Sequence, residues 1–168
     1  MDATLRAARE AVVRRHTELE NAHDFDGALG TFHAPRYEVV PTGEVFEGPA
    51  AVSAFYRETH VAFPDFRLEL VALHHADRAI VVEVVFRGIH TGAWRGLPAT
   101  GRAVEYRFAG VFEFEGDRLL CERLYFDVLT VMRQVGIARD PTSRAGQLAT
   151  FLNHPFTIGR ALLRGLRR

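Results

Sequence analysis

Apolar residues near the start of the chain recur at helical steps. Leu5, Ala8, Val12, His16 and Leu19 share one face with Arg and Glu between them, which predicts an amphipathic helix over residues 3–22. Asp24-Phe25-Asp26-Gly27 breaks it, and Asp26 is placed to cap a short second helix running through Phe32. Tyr37-Glu38-Val39-Val40 alternates like a short strand and stops at Pro41. Gly48-Pro49 opens a third helix, with Pro near its first position, where a missing N–H costs nothing. Val52, Phe55, Tyr56 and Phe63 give this helix an aromatic face, and Phe63-Pro64-Asp65 ends it.

From Phe66 onward the period changes from helical to two. Four strand-like runs follow: Phe66–His74, Ala79–Ile89, Arg102–Glu115 and Arg118–Asp127. Tight connections around Ala76-Asp77 and at Glu115-Gly116-Asp117 make neighbours pair antiparallel, while His90–Gly101 is a longer loop. Strands of this length suit a strongly bent sheet. A short helix over Thr130–Val135, an exposed linker over Ala138–Gln147 and a final helix over Phe151–Arg168 complete the chain. Helices followed by an antiparallel meander predict an α+β fold with the helices on one sheet face. The expected division is a compact domain over residues 1–137 and an appended linker and amphipathic helix over 138–168, with Phe156, Leu162, Leu163 and Leu166 on its apolar side.

Alternation also decides which side chains can meet. In Arg102–Glu115, Val104, Tyr106, Phe108, Gly110, Phe112 and Phe114 share one face, and Glu105, Arg107, Glu113 and Glu115 the other. In Arg118–Asp127 a regular strand groups Leu119, Cys121, Arg123, Tyr125 and Asp127 on one face, and Leu120, Glu122, Leu124 and Phe126 on the other. Neither face reads as solvent, and a β-bulge would reverse the assignment. Asp127 therefore has two readings. It caps the following helix, or it is a desolvated carboxylate whose charged form is disfavoured, which suits a base acting near neutral pH. Glu83, in the apolar run Val81–Val85, is placed to pair with Asp127, or more commonly with Arg107 or Arg123 across the sheet.

The loop from His90 to Gly101 holds the chain's one Trp, Trp94, beside Leu97. Two large apolar groups on a Gly- and Pro-shaped loop need cover. Either the Trp packs on the sheet, or the loop walls a ligand cavity with His90 donating to a ligand oxygen. His74 and His75 are adjacent, so on a strand they point to opposite faces and cannot chelate together. No metal site is expected. His16 on an apolar helical face reads as a satisfied core residue, and His33 and His60 sit near helix ends.

Composition narrows the function classes. The 21 basic residues are all Arg and balance 21 acidic ones, so no overall field attracts nucleic acid. Arginines gather only at the end, as Arg160, Arg164, Arg167 and Arg168. The single cysteine, Cys121, excludes an internal disulfide and fits a reducing compartment. The N-terminus has no signal-peptide h-region and no apolar run is long enough to span a bilayer, so a cytoplasmic protein without stable membrane insertion is expected. No glycine-rich phosphate loop, Gly-x-Ser-x-Gly elbow or His-Glu-x-x-His is present.

Several short stretches fall in a recognisable order. They are Pro41-Thr42-Gly43-Glu44, Gly48-Pro49-Ala50-Ala51-Val52, Ala62-Phe63-Pro64-Asp65-Phe66 and Gly88-Ile89-His90-Thr91-Gly92. Then come Gly96-Leu97-Pro98-Ala99-Thr100-Gly101-Arg102, Gly116-Asp117-Arg118, Tyr125-Phe126-Asp127 and Gln134-Val135-Gly136. This set, over roughly residues 5–137, resembles the SnoaL-like polyketide cyclases (ester cyclases) of the nuclear transport factor 2-like superfamily. The resemblance implies a cone: three helices against a curved antiparallel sheet around a deep apolar cavity, commonly paired as a homodimer through the sheet. It implies ring closure by intramolecular aldol condensation without metal or cofactor. It also implies a single acid/base aspartate on the last long strand, which Asp127 matches. Two positions depart from it: Glu83 stands where relatives carry a basic or aromatic residue, and Arg123 or Leu124 where many carry Trp.

The reading is thus a cofactor-independent cyclase or isomerase acting on a small apolar carbonyl compound. Asp127 is the expected acid/base, and His90, Trp94, Tyr37, Tyr125, Phe55 and Phe63 are the expected ligand contacts. A different class remains open, in which the same cavity binds a lipid-like ligand or a partner protein without chemistry. Epoxide opening is a third possibility, though its Asp-Arg-Asp set does not assemble here.

Overall fold

The computed structural model describes residues 2–165. Helix α1 (Ala3–Asn21) leads through the one-turn α2 (Phe25–Leu29) to strand β1 (Arg36–Val39). A 3-10 turn over Val40–Thr42 then reverses the chain into β2 (Glu44–Glu47), with Gly43 at φ +71°. Helix α3 (Pro49–Ala62) and strands β3 (Arg67–His75), β4 (Ala79–Ile89), β5 (Ala103–Glu115) and β6 (Arg118–Phe126) follow, then α4 (Val128–Gln134), α5 (Arg144–Asn153) and α6 (Pro155–Gly165). The six strands form one curved, unclosed sheet in the order β2-β1-β6-β5-β4-β3. Every neighbour pair is antiparallel except β1 with β6, which run parallel.

The α+β class, the third helix and the four long strands agree with the sequence pattern. Three boundaries differ. Asp24, not Asp26, caps α2, its carboxylate accepting from Gly27 N–H at 2.9 Å. Strand β2 was not anticipated, since its four residues are too short to show a period and gain their order from pairing with β1. The expected linker is partly helical, with Ser143 capping α5 by accepting from Gly146 N–H at 3.0 Å, and the expected final helix is two: α5 ends at Asn153 and α6 opens at Pro155, while Leu166, Arg167 and Arg168 lie outside the described residues.

The core lies between the helices and the inner sheet face. Val13 and Leu19 of α1, Val52 and Tyr56 of α3, Ile80, Val82 and Val84 of β4, and Phe112 and Phe114 of β5 are buried together. The even positions of β5 point inward, as the alternation requires. Gly110 among them leaves room for its neighbours, because a Cβ there would lie 2.9 Å from Val82 Cγ2. A second apolar cluster of Ala62, Phe63, Phe66, Phe86, Val104, Val131 and Val135 joins α3, the sheet and α4.

One irregularity fixes the geometry of the last strand. Glu113 pairs with Cys121 but Phe114 pairs with Leu119, so Leu120 is an extra residue on β6. This bulge lets Leu119 share the inner face with Glu122, Leu124 and Phe126, although their numbers differ in parity. Cys121, Arg123 and Tyr125 then face outward, and Asp127 follows Phe126 directly.

Candidate active site

The inner face encloses a cavity of about 110 Å³, lined mostly by aromatic side chains. Phe25, Tyr37, Phe55, Tyr56, Phe63 and Trp94 form much of its wall, Val131 and Met132 of α4 close one side, and the Glu20 carboxylate is part of its lining.

Behind that carboxylate is a buried polar cluster. His16 and Glu20 are one helical turn apart and therefore lie on the same face of α1. Glu122 comes from the inner face of β6, and the parallel register sets Tyr37 of β1 directly opposite it. His16 is fully buried and Glu122 nearly so. His16 Nε2 lies 3.2 Å from Glu122 Oε2, 3.7 Å from Glu20 Oε1 and 3.3 Å from the Tyr56 hydroxyl. The Tyr37 hydroxyl donates to Glu122 Oε1 at 3.1 Å. On the other side of the ring, His16 Nδ1 is 2.7 Å from Thr31 Oγ1. That hydroxyl spends its own proton on the Ala28 carbonyl, so it accepts from Nδ1–H.

Burial alone would lower the His16 pKa, but the Glu20 and Glu122 carboxylates outweigh it and push the pKa up to about 10. His16 is an imidazolium at neutral pH, and its Nε2–H points among two carboxylates and a phenol oxygen. Burial raises the Glu122 pKa, helped by Glu20, against the opposing pull of His16 and Tyr37. Burial, then the nearby carboxylates, raise Tyr37 and Tyr56 well above the ordinary phenol value, so both keep their protons.

The His16, Glu20 and Glu122 donor atoms lie within 4.8 Å of one another, a spacing that a metal ion could bridge. His16 ligates through a neutral nitrogen, however, and a pKa of about 10 means a metal would have to displace a proton.

The expected site residues divide into two groups. Tyr37, Phe55, Phe63 and Trp94 line the cavity. His90, Tyr125 and Asp127 do not. His90 is fully buried behind the wall, bonded through Nδ1 to Thr100 Oγ1 at 3.1 Å and packed against Phe63 with ring centroids 5.3 Å apart. Tyr125 stands on the outer sheet face, 44% exposed. Asp127 is the N-cap of α4: its carboxylate accepts from Leu129 N–H at 2.9 Å and from the Thr130 hydroxyl at 2.6 Å. The Thr130 hydroxyl and the helix N–H groups hold its pKa below the ordinary carboxylate value, opposite to what a desolvated base requires. Of the two readings of Asp127, the structure has the helix cap. Glu83 meets neither Asp127 nor an arginine; its Oε1 lies 3.2 Å from His74 Nε2 on the exposed face.

Glu20, Glu122, Tyr56 and Thr31 were not picked out as site residues. His16 is buried and hydrogen-bonded as its apolar face implied, but as part of an ionic cluster. The signal available was Glu122, the single carboxylate among Leu120, Leu124 and Phe126.

Comparison with known proteins follows the same lines. The SnoaL-like polyketide cyclase family model matches residues 10–135. Among solved structures, AclR of Streptomyces galilaeus, a candidate hydroxylase, superposes with a TM-score of 0.70 at 16% identity, covering 85% of this chain and 93% of its own. A candidate SnoaL-like polyketide cyclase of Jannaschia gives 0.69 at 19% identity, covering 80% and 94%. TsrD of Streptomyces laurentii gives 0.68 at 23%, covering 82% and 98%. No curated protein matches the sequence. The solved structures share the fold, and the matched stretch runs from the turn before His16 through Glu122 to the end of α4: the chain belongs to the SnoaL-like polyketide cyclase family.

Proposed function

We propose that the protein is a cofactor-independent cyclase or isomerase that moves a proton on an apolar carbonyl compound, with Glu20 as general base. The observation that carries this reading is a glutamate, its side chain only 9% exposed, in the wall of a largely apolar and aromatic cavity with an imidazolium 3.7 Å behind its carboxylate. A methylene flanked by two carbonyls is acidic enough for one positioned carboxylate to deprotonate. The proton moves to Glu20 and the electron pair to the carbonyl oxygen. As an imidazolium, His16 offers Tyr56 no acceptor nitrogen, so the Tyr56 O–H is left to donate to that enolate oxygen. For ring closure the enolate carbon attacks a second carbonyl of the same molecule, and the new alkoxide recovers the proton from Glu20. For isomerisation the proton returns to a different carbon. The aromatic walls exclude water and fold the substrate, supplying proximity.

The test is solvent deuterium exchange at the central methylene of an aryl β-keto ester, followed by NMR. Wild-type protein should accelerate exchange and Glu20→Gln should abolish the acceleration. A folded Glu20→Gln protein exchanging at the wild-type rate would overturn the assignment.

The lining also supports a second reading, non-catalytic retention of a lipid-like ligand, in which case no variant changes exchange but the ligand still quenches Trp94. The epoxide-opening alternative has less support: Arg95, at the cavity wall, is committed to Glu44 at 2.5 Å, and no aspartate is among the lining residues. The expected homodimer would use the outer sheet face around Val71 and Tyr125, and light scattering reads it directly.

A further inference from the structure

Beyond the cavity, the chain ends in a helical arm whose apolar side is left uncovered. Helix α6 has no buried residue. Phe156 is 85% exposed, and Leu162 and Leu163 are also largely in solvent. Helical spacing sets Ile158, Leu162 and Leu163 along one half of α6 with Phe156 at its border, and Arg160 and Arg164, a turn apart, flank that half beside Phe156. Helix α5 adds Leu148, Phe151 and Leu152, likewise exposed. An apolar side this continuous, on a helix of 11 residues, is unusual on a surface that stays in water.

Charge identifies the cover. After Asp140 the sequence contains Arg144, Arg160, Arg164, Arg167 and Arg168 and no Asp or Glu. The chain as a whole is neutral, so the arm is a local cationic segment. A second copy of the arm would offer apolar side chains but no carboxylate to face the arginines. Nucleic acid would offer phosphates but nothing to cover Phe156 and the leucines. A bilayer surface bearing acidic headgroups supplies both, with acyl chains for the apolar side and anions for the guanidinium groups. No described helix is long and apolar enough to cross a membrane, which leaves a helix lying in the interface.

We infer that α6, with the exposed apolar side of α5, docks the protein on an anionic lipid surface. The arm follows α4, whose Val131 and Met132 line the cavity, so docking holds the cavity-bearing body beside the phase in which apolar carbonyl compounds dissolve. This inference rests on the arm alone and does not depend on which cavity group is the base.

The experiment is co-sedimentation of the full-length protein with phosphatidylserine–phosphatidylcholine vesicles and with phosphatidylcholine vesicles, at low and high salt. The expected result is binding to the anionic vesicles that weakens as salt is added. Arg160→Gln/Arg164→Gln should weaken it about 25-fold, at about fivefold per arginine. Leu162→Ser/Leu163→Ser should abolish it with all charges intact. Because these side chains are exposed, circular dichroism and urea midpoints should match the wild type. Failure to bind anionic vesicles would overturn the inference, as would binding that the leucine variant leaves unchanged. A vesicle-free doubling of mass that the leucine variant abolishes would also overturn it, in favour of a second copy.

Discussion

Replacing His16 with Leu should destabilise the protein strongly and remove the loss of stability that the wild type shows between pH 6 and pH 9. In the native state the imidazolium is the cation facing both Glu20 and Glu122. The folded pKa of about 10, against 6.5 in the unfolded chain, corresponds to about 5 kcal/mol of stabilisation at about 1.4 kcal/mol per unit. Because the folded pKa is the higher one, that contribution is fully present below pH 6.5 and fades as pH rises toward 10. Wild-type stability should therefore fall by about 3 kcal/mol between pH 6 and pH 9. His16→Leu removes the cation and leaves two buried carboxylates without a counter-charge, a loss of about 3–5 kcal/mol at pH 7. The variant should lose the fall that His16 causes toward pH 9 and keep only a gain on acidification from Glu122, whose pKa burial already raises, as it takes up a proton. Urea unfolding by circular dichroism at pH 5, 7 and 9 measures both curves. A His16→Leu protein that lost under 1 kcal/mol at pH 7, or that kept the wild-type slope, would refute the imidazolium assignment.

Other substitutions separate cavity from scaffold. Asp127→Ala should lower the urea midpoint through the lost cap of α4, while methylene exchange in the cavity keeps its wild-type rate. Tyr56→Phe should slow that exchange about 100-fold through loss of a donor to the enolate oxygen, with little change in the exchange pH profile. Gly92→Ala should destabilise by more than 2 kcal/mol, since its Cβ would fall 1.7 Å from the Val61 carbonyl oxygen. The same change should shift Trp94 fluorescence to the red, because the Thr91 and Gly92 N–H groups tie that loop to the Ala62 carbonyl.

The strands of the meander were legible because a half-buried strand must alternate, and β5 does so from Val104 to Phe108 and again from Phe112 to Phe114. The cavity wall was legible where bulky groups sat on predicted faces, as with Phe55, Phe63 and Trp94. The acid/base position was not. Parity alone put Asp127 with Leu119, but the extra residue Leu120 moves Leu119 to the inner face beside Glu122 and leaves Asp127 at the helix start. A bulge changes which face a side chain takes without changing composition or average pattern. The polar cluster was hidden for a different reason. His16 and Glu122 lie far apart in sequence, and each alone looks like a single misfit in an apolar stretch. They become a site only once α1 packs against β6, and Tyr37 joins them when β1 pairs with β6.

That parallel pair has a consequence for how the protein reaches its working form. Tyr37 and Glu122 are 85 residues apart, and every other strand pairing that involves β6 or β4 is local by comparison. Hairpins such as β3–β4 and β5–β6 close short loops and can form early. Joining β1 to β6 closes a much longer loop, and the entropy of closing it is offset only when the inner faces also pack. The buried ion pair links α1 to β6 across a separation longer still, so it should be among the last features to form during folding. Refolding monitored by the far-UV signal would then run ahead of any activity that depends on Glu20, and the interval between the two would time the closure of the sheet.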